Sequence, residues 1–473
     1  MPVSAPSNGL RTTPYRTIFS LAWPQVLTMV LHFSIGFVDV WAAGQLSRDV
    51  QAGMGLVTQL YMFLLLVAMA GSNGAVAAIS QSDGAGRTLR ALRYIGLSLL
   101  IGLSAGLALA VLVIPSRPLL LQLIQTPDSL KPITAYFLTV FALTLPSQHL
   151  LIMTNSIFRA RKMVMIPLAT MLLVTSCNAL GDLALGLGAF GAPKLGYQGL
   201  AWSTLCSVSA GAAFNLIVLR FRGMLGRFSL VPWRWIRRAA PYLIKVAWPD
   251  ALNHLIWNSG YMVLFGVTAN LPEHSVDALA AMAAGMRIES FFFLPAFGLN
   301  MTASILVGYY LGAGEPAEAK RYGWRILLIG VLFISVFTLA LWRLAQPMAA
   351  LMTKNPVVQE EVVRYLFWNF LALPCTVTTM ILTGAFRGAG ATLYNLIVVT
   401  IATWGVRVPL AWLLGRHILH SAEGVWIAMF CSMALQASLM VLAFATQNWQ
   451  RFSMYNRKLN TQGLRHDPAV RTA

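Results

Sequence analysis

Twelve apolar stretches, each long enough to cross a bilayer, fill almost the whole sequence. A spanning helix needs roughly 20 mostly apolar residues. Such runs occupy 15–43, 53–82, 91–114, 132–160, 165–189, 196–220, 242–270, 277–311, 324–352, 360–386, 393–416 and 423–447. Hydrocarbon offers no hydrogen-bond partners, so only helices and closed barrels can span it. These runs are too long for barrel strands and lack the period-2 alternation such strands need. Charged residues make up 10% of the 473, against about 25% in a soluble domain. The expected fold class is therefore all-α integral membrane, with about twelve transmembrane helices.

The N-terminal stretch Met1 to Arg16 is polar and carries no cleavable signal pattern. Targeting is thus expected to fall to the first spanning helix. Cys177, Cys206, Cys375 and Cys431 are isolated in separate spans. No disulfide, zinc site or other metal cluster is expected from that spacing. The net charge of +19 raises the question of nucleic acid, but its distribution answers it. The two termini and alternate loops hold 24 of the 34 Lys and Arg residues, the opposite loops hold 8, and Arg287 and Arg407 lie within spans. A threefold bias of this kind places both termini in the cytoplasm. The chain reads as a multi-pass inner-membrane protein, with the lipid bilayer rather than nucleic acid as the partner of its basic surface.

The sequence repeats itself. LAWPQVLTMVLHFSIGFVDVWAAGQL at 21–46 aligns with VAWPDALNHLIWNSGYMVLFGVTANL at 246–271. Gly84-Ala85-Gly86 matches Gly312-Ala313-Gly314, and Leu145-Pro146 with Phe158-Arg159 matches Leu373-Pro374 with Phe386-Arg387. The offsets are 225 and 228. Six spans per copy is an even number, so both copies enter from the same side. They form a parallel repeat related by a pseudo-two-fold axis along the membrane normal. The boundaries expected are an amino-terminal six-helix lobe at 1–222, a cytoplasmic linker at 223–241, a carboxyl-terminal six-helix lobe at 242–450 and a cytoplasmic tail at 451–473. The Arg- and Trp-rich linker fits either an amphipathic helix on the anionic leaflet or an ordinary loop. Pro146 and Pro374, duplicated in register, suggest a bend shared by both copies.

Acidic residues inside spans are costly and point to function. Asp39 ends the first run and Asp182 lies in the fifth, with Asn178 four residues before it and so on the same helix face. Asn155 lies in the fourth span and Thr204 begins the sixth. Two carboxylates, two amides and a hydroxyl would suit a proton, Na⁺ or an organic cation. The alternative is a buried network that only joins helices. A carboxylate in a poorly solvated cavity takes up a proton more readily, which offers a route to exchanging protons for cations. The second copy has Leu264 and Leu410 where the first has Asp39 and Asp182. It holds instead Arg287, Glu289 and Arg407, and an ion pair between Glu289 and Arg407 is expected. His32 shares a face with Asp39 and is either a core residue or a relay. Phe137 and Met153 are candidates for lining a cavity that accepts flat cations.

Taken together, GFVDVWAAGQL, FRARK at 158–162, FRGAG at 386–390, Asn178 with Asp182, GYQGLAWST at 196–204 and RIESFFFLPAFGLNMTASILVGYYLGAG at 287–314 resemble the multidrug and toxic compound extrusion (MATE) transporters. The resemblance covers roughly 15–450. It implies two six-helix lobes forming a V. It also implies that Asp39, Asn155, Asn178, Asp182 and Thr204 make an amino-lobe cation site coupled to H⁺, with Na⁺ as the alternative at Asp39, Asn178 and Asp182. A second branch of the family uses a glutamate in the seventh span, where this chain reads LIWNSGYM. The function expected is a cation-coupled antiporter that exports hydrophobic, often cationic, drugs or toxic metabolites by alternating access. It would act as a monomer and use no cofactor beyond the coupling ion. The alternative is a lipid-linked oligosaccharide flippase of the same superfamily, which would add spans and line its cavity with arginines. An enzyme is disfavoured because the seven histidines show no ligand spacing, and a channel because the acids occupy one copy only.

Overall fold

Helices follow the apolar runs with little deviation. The computed structural model describes residues 13–226, 229 and 231–454. The first half comprises α1 (Pro14–Leu46), α2 (Arg48–Gly84), α3 (Thr88–Leu123), α4 (Lys131–Ala160), α5 (Met165–Gly186) and α6 (Tyr197–Phe221). The second comprises α7 (Trp233–Ala269), α8 (Ser275–Gly312), α9 (Pro316–Met352), α10 (Pro356–Ala389), α11 (Thr392–Ile418) and α12 (Ala422–Thr446). No strand occurs among the described residues. Eleven of the twelve are long and apolar enough to cross a membrane. The exception is α7, which has the length but carries Asn253, His254 and Asn258 along its middle.

The linker expectation is corrected in one respect. Residues 233–241 are the opening turns of α7 itself, and Trp235 packs edge-on against Tyr94 of α3 at 4.9 Å. They form no separate surface helix. Residues 227, 228 and 230 of the linker, like Arg11 and the basic tail residues Arg457, Lys458, Arg465 and Arg471, lie outside the described residues.

Turns between helices are set by local chemistry. Ser47 separates α1 from α2, and its hydroxyl accepts a hydrogen bond from Val50 N at 3.2 Å, a standard N-cap. Asn355 caps α10 in the same way, accepting from Val357 N at 3.0 Å, with Pro356 preset for the first turn. The duplicated Gly-Ala-Gly elements end α2 and α8. Gly86 and Gly314 take left-handed φ of +66° and +81°, which glycine adopts without cost.

The first glycine of each element has a different task. A Cβ on Gly84 would lie 1.9 Å from the Tyr309 carbonyl oxygen, and one on Gly312 would lie 2.1 Å from the Gln81 carbonyl oxygen. Here α2 and α8 cross backbone to backbone, and the two halves of the chain meet. The junction is pseudo-symmetric: α1 packs against α8, and α7 packs against α2. Gln25 donates to Thr302 Oγ1 at 2.9 Å, and Asn73 donates to Asp250 Oδ2 at 2.6 Å. Gln81 donates to Tyr242 Oη and to the Gly388 carbonyl, and accepts from Met454 N. Lys162 sets its ammonium 3.1 Å from the centroid of the Tyr309 ring. All these contacts lie toward the end that carries Pro14 and Phe452, so the lobes join there as the arms of a V.

Candidate functional site: a carboxylate pair in the amino lobe

Two carboxylates meet where α1 packs against α5. Asp39 comes from α1, and Asn178 and Asp182 come from α5, one turn apart. Asp39 is half-buried, while Asn178 and Asp182 are buried. Asp39 lies beside both Asp182 and Asn178, close enough for the charges to interact. At Asp182 the helix widens into a π turn, Asp182–Gly186, a distortion frequent at functional sites. Gly181 lets α6 approach closely: a Cβ there would lie 2.4 Å from Ser203 Oγ. Ser203 donates to the Asn178 carbonyl at 2.8 Å and faces Asp182.

The polar atoms of this group are not used up by the protein. Asp39 Oδ1, both carboxylate oxygens of Asp182, and Oδ1 and Nδ2 of Asn178 are buried without a hydrogen-bond partner. Each such atom costs about 1–3 kcal/mol, and two adjoining carboxylates in low dielectric do not tolerate both charges unrelieved. A proton shared between them, or a cation among these oxygens, removes the penalty. The donor set is all oxygen apart from one amide nitrogen, which suits a proton or a hard cation such as Na⁺.

Asn155 and Thr204 hold hydrogen bonds of their own. Asn155 accepts from Asn215 Nδ2 at 2.9 Å, in a network that also includes Thr154 and Thr170. Thr204 donates to the Leu200 carbonyl of its own helix at 3.2 Å, and its neighbour Ser203 is the residue that faces Asp182. His32 is exposed. Phe137 and Met153 are core residues. Phe137 packs on Phe141 and Tyr197, and Met153 fills the space left by Gly71 and Gly102, where a Cβ would come within 2.7 Å of it.

In the carboxyl lobe, the expected Glu289–Arg407 ion pair is not closed. Tyr365 donates to Glu289 Oε2 at 3.0 Å. Arg407 is fully buried, donates from Nε to Ser432 Oγ at 2.8 Å, and stacks on Trp257 and Tyr261 at 5.0 and 5.5 Å. Arg287 is exposed and joins neither. Aromatic rings, rather than a carboxylate, receive the guanidinium.

A third polar group lies at the junction of the lobes. Arg387 donates to Asp250 Oδ1 at 2.7 and 3.2 Å and to Asn300 Oδ1 at 3.1 Å, and Asn73 reaches Asp250 from the other lobe. The repeat carried a signal for this group, because Asp250 occupies the place of Gln25.

Comparison with known proteins agrees with this architecture. The MatE family model matches residues 24–183 and 249–413. A relative described as a probable multidrug resistance protein NorM, from Thermotoga maritima, is 25% identical over 454 residues, covering 94% of this chain and 95% of the relative. Another of that description, from Mesorhizobium japonicum, is 27% identical over 456 residues, covering 92% and 94%. Among solved structures, a mutant of the Vibrio cholerae MATE transporter VcmN superposes with a TM-score of 0.84 at 21% identity, covering 93% of this chain and 98% of that one. An outward-facing multidrug resistance MATE family transporter of the MOP superfamily superposes with a TM-score of 0.84 at 18% identity, covering 94% and 98%. With a family model spanning both halves and the same two-lobe fold, this chain belongs to the MATE family of membrane transporters and is not an enzyme.

Proposed function

We propose that the protein is a cation-coupled antiporter that expels hydrophobic, often cationic, compounds across the inner membrane, with H⁺ as the coupling ion in preference to Na⁺. The observation that carries this reading is the Asp39–Asp182 contact with its buried, unpartnered oxygens. A proton resides there when the site is sealed from water. It leaves when a cationic compound or hydration supplies a better partner for the charge. Occupancy by proton and by drug are then mutually exclusive, as exchange requires. The names of the relatives, which speak of multidrug resistance, support the substrate class.

The charge bias of the loops puts the joined end of the lobes in the cytoplasm. In that orientation the present arrangement faces outward, and rocking of one lobe on the other opens the opposite side. The lobes need no second copy to complete the site, which supports action as a monomer.

Efflux of a fluorescent organic cation from cells, or its uptake into everted vesicles, tests the proposal under separately imposed pH and Na⁺ gradients. The pH gradient is expected to drive transport, and Asp39→Asn and Asp182→Asn are each expected to abolish it at unchanged protein level. Transport driven by Na⁺ alone would transfer the site to that ion. Normal transport by both variants would reduce the pair to a structural contact.

A further inference from the structure

Arg159 and Arg387 occupy equivalent places in the two repeats, 228 residues apart, each following a phenylalanine. They come together at the junction of the lobes. With Asn73, Val76, Met301, Ser304 and Ile305 they line a partly open cavity of about 40 Å³. Their surroundings differ in one decisive way. Arg387 is neutralised by Asp250, and the amino-half equivalent of Asp250 is the neutral Gln25, which is engaged with Thr302 and the Leu21 carbonyl. Arg159 donates to Ser156 Oγ at 2.5 Å, and no carboxylate among the described residues lies within ion-pair distance of it. The cavity wall therefore holds two guanidinium groups and no carboxylate, the one nearby, Asp250, being committed to Arg387. Ser304 Oγ, in a side chain 3% exposed, is also buried there without a partner.

Arg159 is half-buried, and a charge drawn out of water without a counter-ion is disfavoured. The wall presents donors and offers Arg159 no anionic partner. Its volume exceeds the roughly 10–15 Å³ that one water requires, so it admits a monatomic ion. We propose that a halide-sized anion, chloride in the cell, binds between Arg159 and Arg387 and supplies the counter-charge that Gln25 does not. Arg159 and Asn73 belong to the amino lobe, and Arg387 and Ser304 to the carboxyl lobe. The anion contacts both only while the lobes are joined, so it stabilises that state over the one in which they part.

The thermal midpoint of the purified full-length protein, followed as gluconate is exchanged for chloride at constant ionic strength, tests this. A rise that saturates with chloride is expected, with acetate failing to reproduce it. Arg159→Gln is expected to lose the shift, and Arg159→Lys to retain a smaller one. An equal shift in Arg159→Gln, no shift in the wild type, or acetate acting as well as chloride would overturn the assignment. Should Arg159→Gln not fold, anomalous scattering from wild-type crystals grown in bromide decides the matter. A bromide peak between the two arginines is expected, and its absence from that cavity refutes the proposal.

Discussion

Replacing Gly84 with alanine tests the joined end of the lobes directly. A methyl there would sit 1.9 Å from the Tyr309 carbonyl oxygen, 2.9 Å from its carbon and 3.0 Å from Ala313 N, where ordinary contact begins at 3.4 Å. All three obstacles are backbone, so no side-chain rotation relieves them. The relief available is separation of α2 from α8, which is separation of the lobes. Overpacking at a tight contact costs about 1–3 kcal/mol, and a rigid backbone neighbour places this case at the upper end. At a factor of ten per 1.4 kcal/mol, a penalty of about 2–3 kcal/mol moves the ratio of joined to parted states by roughly 30- to 140-fold. Spin labels at Thr88, which opens α3, and Glu315, in the turn after α8, report the distance between the lobes by pulsed resonance. Gly84→Ala and Gly312→Ala are each expected to lengthen it or to populate a second, longer distance. The two act on the same crossing, so their effects should not add. Gly55→Ala is the control: it lies in the same helix with nothing within 4 Å of the added carbon, and it should leave the distance unchanged. An unaltered distance in Gly84→Ala, with normal transport, would refute the inferred crossing.

Three other perturbations probe separate parts of the molecule. Arg387→Ala leaves Asp250, which is 1% exposed, without its arginine and with Asn73 as its remaining close donor, and should cost about 3 kcal/mol in thermal unfolding, with Asp250→Asn in the same chain restoring most of it. Tyr365→Phe removes the hydrogen bond to Glu289 and should lower stability by about 1–2 kcal/mol while leaving pH-driven efflux intact, because the carboxyl-lobe cluster reads as structural. Burial holds the Lys162 amine down to about 8, with Asp83 opposing. Its ordinary value returns once the lobes part and the amine is hydrated, so parting takes up a proton. Raising the pH from about 8 toward the ordinary lysine range should therefore favour the joined state, and in Lys162→Gln the lobe-to-lobe distance should lose that dependence.

The spans were legible because hydrocarbon imposes a length and a composition that few other environments require. The repeat was legible too, and its Gly-Ala-Gly pieces now have causes: one glycine for the crossing, the other for the left-handed turn. Lys162 sits at the position equivalent to Gly390, and both are left-handed, at φ +61° and +76°. A lysine accepts that strain where its ammonium rests on Tyr309. Asp39 and Asp182 were legible as a pair because intramembrane acids are rare. The hydrogen bonds of Asn155 and Thr204 were not legible. The helices around them are apolar on nearly every side, and composition does not fix their rotation. A single residue of phase separates Thr204 from Ser203, which faces the carboxylate. Arg407 was expected to pair with Glu289 by charge alone. Trp257 and Tyr261 took that place, and neither is visible as a partner from spacing in sequence.

The polar middle of α7 bears on how the chain is made. Insertion of a nascent segment depends on its own apolarity, with basic residues fixing the side that stays behind. Arg234, Arg237, Arg238 and Lys245 supply the second requirement, but Asn253, His254 and Asn258 weaken the first. This segment is therefore committed to the bilayer by its neighbours: α8, which follows it out of the ribosome as a strongly apolar partner, and α2, already in place with Asn73 ready to meet Asp250. Two units of common ancestry have thus become unequal in biogenesis, the earlier one able to enter unaided and the later one relying on a template that the earlier has built.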